Sequence, residues 1–328
     1  MSDFRTTLPP FQPNLQLDHQ QNVVCFGSCF AEHMAKRLQD IKINCILNPF
    51  GIQYNPLNIG HCIDMILNDY NFENRDMVQR EGRWFSLWHH SIFSDQDPAI
   101  FKEQLQMSAR EAKQKIAQTD VFIFTFGTAY YYQHKQTEIA VANCHKLPKD
   151  QFEKKRLSPE EIVAPFSNTL QNLLHVNPNA KFIFTVSPIR HAKDGLLENT
   201  RSKAILHLGI EALCGQFSQA IYFPSYEIMM DDLRDYRFYT SDMLHPSTTA
   251  IDYIWEHFTA HLFSDITRDL IRRIESVQLA IQHRPFHVED ESHQKFIRST
   301  LNKIESLQKE FPALPFDDEQ GQLEGQLL

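Results

Sequence analysis

Two nearly continuous apolar runs, Val121–Phe126 and Lys181–Val186, constrain this chain more than any other feature. A sheet face open to water imposes alternation of apolar and polar residues. A run without alternation belongs to a strand covered on both faces. Between and around these runs lie stretches with helical periodicity, near residues 97–118, 158–175 and 200–216. A first strand is expected at about Asn22–Phe26, a second at Ile41–Ile46 and a last core strand at Ala220–Phe223. Alternation of this kind, sustained to about residue 263, predicts an α/β fold. Its core is a doubly wound parallel sheet with helices on both faces, three layers in all.

The first strand ends in an unusual way. Val23-Val24-Cys25-Phe26 stops at Gly27, and Ser28 and Cys29 follow before a helix that runs to about Gln39. A strand, a tight turn and a helix start therefore fall within a dozen residues. Side chains in such a turn stand at the carboxyl edge of the sheet, where α/β folds place their sites. They also face the positive end of a helix dipole, which favours a thiolate or an oxyanion. Gly127 closes the Val121–Phe126 run in the same manner and is expected to line the same edge. The loop Ser187–His191 follows the Lys181–Val186 run there, carrying Arg190 and His191.

A second polar cluster comes late. Asp242 and His245 are three residues apart, a spacing that brings them to one side of a turn. An Asp beside a His can hold the ring and stabilise the imidazolium. Pro246 marks a helix start, so His245 is expected on a loop just before a helix. Residues 71–97, with Trp84, Trp88, His89 and His90, read equally as a hairpin packed on the core and as an insertion lining a cleft.

Composition narrows the function classes. The 328 residues carry a formal net charge of -9, which argues against a general nucleic-acid binder. No apolar stretch reaches transmembrane length. The first 21 residues, with Pro9, Pro10 and Pro13, lack an apolar signal core and read as an extended arm, so a cytoplasmic protein is expected. None of the six cysteines forms a CxxC pair, and no HExxH-type spacing occurs. Neither a metal nor any other cofactor is therefore expected. Residues 264–311 read as a helical extension serving packing or homo-oligomer formation. Residues 312–328 read as a flexible acidic tail.

Gly27-Ser28-Cys29-Phe30-Ala31, together with Asp242-Met243-Leu244-His245-Pro246, resembles the GSCFA domain family, which is related to the SGNH/GDSL hydrolase superfamily. The likeness spans about residues 20–263. It implies a flavodoxin-like three-layer α/β/α fold, a nucleophile after the first strand and a late DxxH supplying base and orienter. It also implies an oxyanion hole built from the nucleophile N–H, a glycine N–H after the second strand and an Asn after the third. The superfamily pattern Phe-Gly-Asp-Ser-Leu, laid without a gap on Phe26–Phe30, puts Cys29 in the nucleophile's place. Ser28 takes that role only with a one-residue shift. Gly51 matches the second-strand glycine. At Gly127-Thr128 a hydroxyl replaces the asparagine amide, and Asn48 or Asn55 are the candidates to replace that donor.

His89, His90, Arg190 and His191 are cleft candidates. What the resemblance implies is acyl transfer from a small-molecule or carbohydrate-linked ester, or from an acyl-thioester donor, by an esterase or O-acyltransferase. The rival expectation is a ligand-binding or scaffold protein that keeps the fold without turnover.

Overall fold

The computed structural model describes residues 6–9 and 13–328. Its centre is a five-stranded parallel sheet formed by β1 (Val23–Gly27), β2 (Cys45–Leu47), β6 (Val121–Phe126), β10 (Lys181–Val186) and β11 (Ala220–Tyr222), in the spatial order β2-β1-β6-β10-β11. Between them run the helices α1 (Cys29–Asp40), α2 (Pro56–Leu67), α3 (Pro98–Ile116), α4 (Pro159–Val176) and α5 (Leu196–Gln216). In order of appearance the five strands sit as 2-1-3-4-5, the doubly wound arrangement whose strand order switches between β1 and β6. The register there pairs Phe26 with Phe124 and Gly27 with Thr125.

The apolar runs explain the layering. Phe26, Phe122, Phe124, Phe126, Phe182 and Phe184 point to one face, under α2 to α5. Val23, Cys25, Val121, Ile123 and Ile183 point to the other, under α1 and the later helix α7 (Thr248–Leu262). Both faces are covered, so both sets of positions are apolar. Phe124 lies 5.1–6.2 Å, centroid to centroid, from Phe26, Phe166, Phe182 and Phe184. Helix starts follow local chemistry. Ser158 and Glu161 form the reciprocal capping box that opens α4, and Asn55, Asp97 and Ser247 cap α2, α3 and α7.

Two small antiparallel sheets are inserted. The first is β3 (Met77–Arg80), β4 (Arg83–Ser86) and β5 (Ser94–Asp95); the second is β7 (Tyr130–His134), β8 (Ala140–Val141) and β9 (Phe152–Arg156). Trp84 and Trp88 of the first pack against the main core. After β11 come a single turn, α6 (Ser225–Glu227), and then α7.

Three local expectations change. The second strand starts at Cys45, because Lys42 adopts a left-handed φ of 66° that breaks an extended run from Ile41. The helix expected from Thr200 begins four residues earlier, at Leu196. The tail from Pro312 is not a loose acidic strand. Asp317–Glu324 forms α10, and Leu314, Phe316 and Leu323 are buried with α8 (Asp265–Gln282) and α9 (Glu291–Glu310) in a core of their own. Its acidic residues crowd the first turn of α10, where the helix dipole favours them, and its apolar residues are spaced to point inward. Phe316→Ala is accordingly expected to lower unfolding free energy by about 3 kcal/mol. Chemical denaturation of the full chain reads this, and a change under about 0.5 kcal/mol would mean that α10 does not dock.

The lead-in arm lies partly outside the described residues, at 1–5 and 10–12. Its last part is docked: Leu15 and Leu17 are buried, and the Leu17 N–H donates to the Leu262 carbonyl at 2.6 Å. No helix among the described residues is long and apolar enough to cross a membrane.

Candidate active site

Gly27 has a φ of +144°, and a Cβ there would stand 2.3 Å from the Thr125 carbonyl oxygen of the neighbouring strand. Only glycine lets β1 run this close to β6 and still turn. The Asn48 side chain grips the turn from the other side. Its Oδ1 accepts from Gly27 N–H at 2.8 Å and its Nδ2 donates to the Gly27 carbonyl at 3.1 Å. Ser28 then stands at the N-cap of α1 and Cys29 at its first residue.

The two side chains differ sharply. Ser28 is 1 % exposed; its Oγ neither caps the helix nor has any other hydrogen-bond partner. Cys29 is half-buried, with Sγ 3.9 Å from the Tyr54 hydroxyl. Burial, above all, pushes its thiol up from the ordinary value, and Glu32 adds to this while the Tyr54 hydroxyl opposes it. Cys29 therefore rests as a thiol and needs a base to become a nucleophile.

The Asp242–His245 loop is a tight reversal. The Thr240 N–H donates to the His245 carbonyl at 2.8 Å and the Ser247 N–H to the Phe238 carbonyl at 2.7 Å. Inside it, Asp242 Oδ1 accepts from Leu244 N–H, His245 N–H and the Thr240 hydroxyl at 2.7–3.0 Å. Asp242 Oδ2 lies 2.6 Å from His245 Nδ1. These donors, led by the His245 N–H, hold the Asp242 carboxyl well below the usual carboxylate range. The carboxylate fixes the proton of the neutral ring on Nδ1, which leaves Nε2 with its lone pair free to take a proton. Both side chains are well exposed, at 41 and 46 %.

The turn and the loop meet electrostatically. His33 follows Cys29 by one helical turn on α1. Burial holds the His33 imidazole below its usual range; Glu32 opposes this, and His245 and then Arg37 lie near enough to add to it. His191 is pushed down to about 4 by burial, then by Lys203, and also feels His245. A Cβ on Gly127 would lie 3.3 Å from Ser28 Cβ and 3.4 Å from His191 Nε2, so those three residues converge on the crevice between β1 and β6. No hydrogen bond joins the His245 ring to Ser28 or Cys29.

Several expected oxyanion donors are committed elsewhere. The Gly51 N–H donates to the Asn48 carbonyl at 2.7 Å, closing a turn. The N–H groups of Gly127 and Thr128 both donate to the Tyr54 carbonyl, at 2.8 and 3.0 Å. The Thr128 hydroxyl pairs with Ser202 Oγ at 3.1 Å and accepts from Tyr130 N–H. Asn48 clamps Gly27, and the Asn55 side chain caps α2 by accepting from Asn58 N–H. The backbone N–H groups of Gly51, Gly127 and Thr128 are thus taken. At the start of α1 the geometry is different: the N–H groups of Cys29 and Phe30 have no carbonyl one turn back in the helix, so they remain as donors beside Sγ.

His89 is a core residue and not a cleft residue. It is fully buried, bonded through Nδ1 to Ser86 Oγ at 2.8 Å and stacked on Phe50 at 4.0 Å, and burial pushes it down to about 3. A buried neutral ring in an aromatic cluster costs less than a charged one, which is why the aromatic-rich stretch held it there. His90 flanks Gly51, where a Cβ would lie 2.4 Å from His90 Cβ.

Sequence reasoning did not single out three contributors. Tyr54 sits in the loop between β2 and α2, where nothing in the sequence marks its hydroxyl as a neighbour of Cys29. His33 lies within an ordinary amphipathic helix. Lys203 is 2 % exposed and donates to the Gly127 and Ser187 carbonyls at 2.7 and 2.6 Å. A lysine on a helix normally reads as solvent-facing, so nothing marked it. No group of three or more His, Cys, Asp or Glu among the described residues could hold a metal ion.

The model of the GSCFA family matches residues 22–258, and that of the GSCFA domain protein, C-terminal domain, matches residues 274–328. No curated protein matches. Among solved structures, the chain is similar to a Streptococcus pneumonia protein provisionally titled a platelet activating factor, at 11% identity and a TM-score of 0.38, over 74% of this chain and 85% of that one. It is also similar to a carbohydrate esterase family 3 protein from Talaromyces cellulolyticus, at 14% identity and a TM-score of 0.25, over 50% of this chain and 66% of that one.

Proposed function

The chain belongs to the GSCFA family, and on that footing we propose that it is an acyl hydrolase or O-acyltransferase acting on an ester or thioester. The observation that carries the reading is the Asp242–His245 pair, its ring held Nδ1 to carboxylate at 2.6 Å, in a chain that also presents a half-buried thiol at the head of α1. In this reading Cys29 is the nucleophile. Its sulfur is reachable, whereas the Ser28 oxygen is sealed. His245 Nε2 takes the thiol proton as Sγ attacks the carbonyl carbon, and the carbonyl π bond becomes the oxyanion. The N–H groups of Cys29 and Phe30 receive that charge, aided by the dipole of α1. The protonated His245 then gives its proton to the departing alkoxide or thiolate as the bond to carbon breaks. Water, or an acceptor hydroxyl, resolves the acyl-enzyme by the same steps in reverse order. An exposed ring on a surface loop has room to rotate toward Sγ, and catalytic hydrogen bonds commonly tighten only with substrate bound.

The test is turnover of short p-nitrophenyl esters and acyl thioesters. His245→Ala is expected to lower kcat/KM by about 10²–10⁴-fold, the usual contribution of a positioned general base. Loss under about 3-fold would remove His245 from the reaction.

A second reading, ligand binding without turnover, is favoured by one observation: the N–H groups of Gly51, Gly127 and Thr128 are already engaged. It predicts no turnover and no acyl adduct on any ester or thioester.

A further inference from the structure

The crevice is bordered on the β10 side by Arg190, a cation without a carboxylate partner among the described residues, and by Lys203, which burial pushes down to about 7. Arg190 directly precedes His191, and its backbone N–H donates to the Leu244 carbonyl at 3.4 Å, tying the β10 loop to the Asp242–His245 loop. Its guanidinium has no ion pair among the described residues. The Nε is buried without an acceptor, Nη1 lies 3.8 Å from the soft Met230 sulfur, and the Tyr239 hydroxyl is the guanidinium's other neutral neighbour. Buried Lys203 lies close enough to feel Arg190; it too holds only carbonyl oxygens, with the Tyr226 ring 5.8 Å away. Removing a cation from water without a counter-charge is costly, and proteins normally pair such groups.

Arg190 lines a pocket of about 280 Å³ whose wall includes Met229, Met230, Tyr239 and Leu244, the residue before His245. Two further charged residues line it, and both are already compensated: Arg234 bonds Asp231 at 2.5 Å, and Asp235 lies 3.8 Å from Arg237. Arg190 stands by the Tyr239 hydroxyl, which it makes more acidic although burial dominates and pushes the tyrosine up. The pocket thus offers an apolar wall, a phenol and one cation left without a partner.

We propose that this pocket binds an anionic group of the substrate, so that the ester or thioester turned over at Cys29 carries a carboxylate, phosphate or sulfate that pairs with Arg190. A planar guanidinium matches the two oxygens of such a group, and its charge cannot be lost by deprotonation. This assignment rests on the acyl-transfer reading for its chemistry, but its binding claim stands apart from it.

The experiment compares matched pairs on the full chain. One pair is p-nitrophenyl hydrogen succinate against p-nitrophenyl butyrate, with the anion on the acyl side. The other is 4-acetoxybenzoate against methyl 4-acetoxybenzoate, with the anion on the leaving side. In parallel, calorimetric binding of monomethyl succinate is set against dimethyl succinate. In at least one turnover pair the anionic ester is expected to be preferred by about 10- to 100-fold in kcat/KM, the range of a hydrogen bond to a charged group. Arg190→Gln brings that ratio to near 1, and Arg190→Lys keeps part of it. Arg190-dependent binding of monomethyl succinate without turnover of any ester supports the anion pocket and removes the acyl-transfer reading. Turnover with no anionic preference in either pair, and no preferential binding of monomethyl succinate, overturns the anion pocket and leaves the acyl-transfer reading standing.

Discussion

Cys29→Ala is expected to reduce acyl turnover by about 10⁴-fold or more, whereas Ser28→Ala is expected to reduce it by about 10-fold or less. The asymmetry follows from burial. A nucleophile must meet its substrate, and Ser28 is 1 % exposed with its oxygen closed off beneath Gly127. The Cys29 sulfur faces Tyr54 on the open side, at the head of α1. Its thiol is raised by burial, so its reaction depends wholly on a base. Cys29→Ser should consequently be a poor replacement, because an alcohol is far harder to deprotonate than a thiol and nothing near it is arranged for the difference. Intact-mass spectrometry after rapid quenching gives a second measure: one acyl group per chain, absent from Cys29→Ala and retained by Ser28→Ala. Full activity in Cys29→Ala, or an adduct mapped to Ser28, would transfer the role to the serine.

Gly27→Ala is expected to destabilise the fold by about 4 kcal/mol, near the upper end for a single added methyl group. Two costs combine. An alanine is strained at a φ of +144°, and its Cβ would sit 2.3 Å from a backbone oxygen and 2.8 Å from Thr125 Cβ. Thr125 belongs to a central strand, paired on both sides, so it has nowhere to withdraw. The chain must instead part β1 from β6 at the point where the crevice begins. Chemical denaturation reads the stability, and any soluble fraction should have lost turnover out of proportion to its folded population. A loss under about 1 kcal/mol would show that the turn relaxes easily and that glycine is not required there.

How far the sequence speaks for the fold and the site can be traced to particular residues. The parallel sheet was legible because Val121–Phe126 and Lys181–Val186 carry no polar alternation, and burial on both faces leaves no other pattern open to them. The Asp242–His245 contact was legible because three residues of separation within one turn force proximity. What sequence could not show depends on long-range placement. Gly127 and Thr128 look like free donors in a line of text, and only the return of the Tyr54 loop reveals where their N–H groups go. At His89 an aromatic-rich stretch left core and cleft equally open, and the ring went to the core, while Lys203 carried no signal and was drawn from its helix beneath the sheet edge. The second strand was overdrawn because Ile41, Ile43 and Cys45 are all buried, yet one left-handed residue separates them from an extended run. The tail misled through composition, since acidic residues at a helix start look the same as acidic residues in a disordered end.

The far end of α1 is held by the last helices of the chain. Gln278 donates to the Asp40 carbonyl, and Lys42 pairs with Glu319 in a contact where both side chains are 14 % exposed. One short rod thus joins the reactive thiol at its head to the C-terminal module at its foot. A fragment cut to residues 22–258 would keep every side chain of the candidate site and discard the anchor that sets the pitch of that rod, so its inactivity would say nothing against the chemistry.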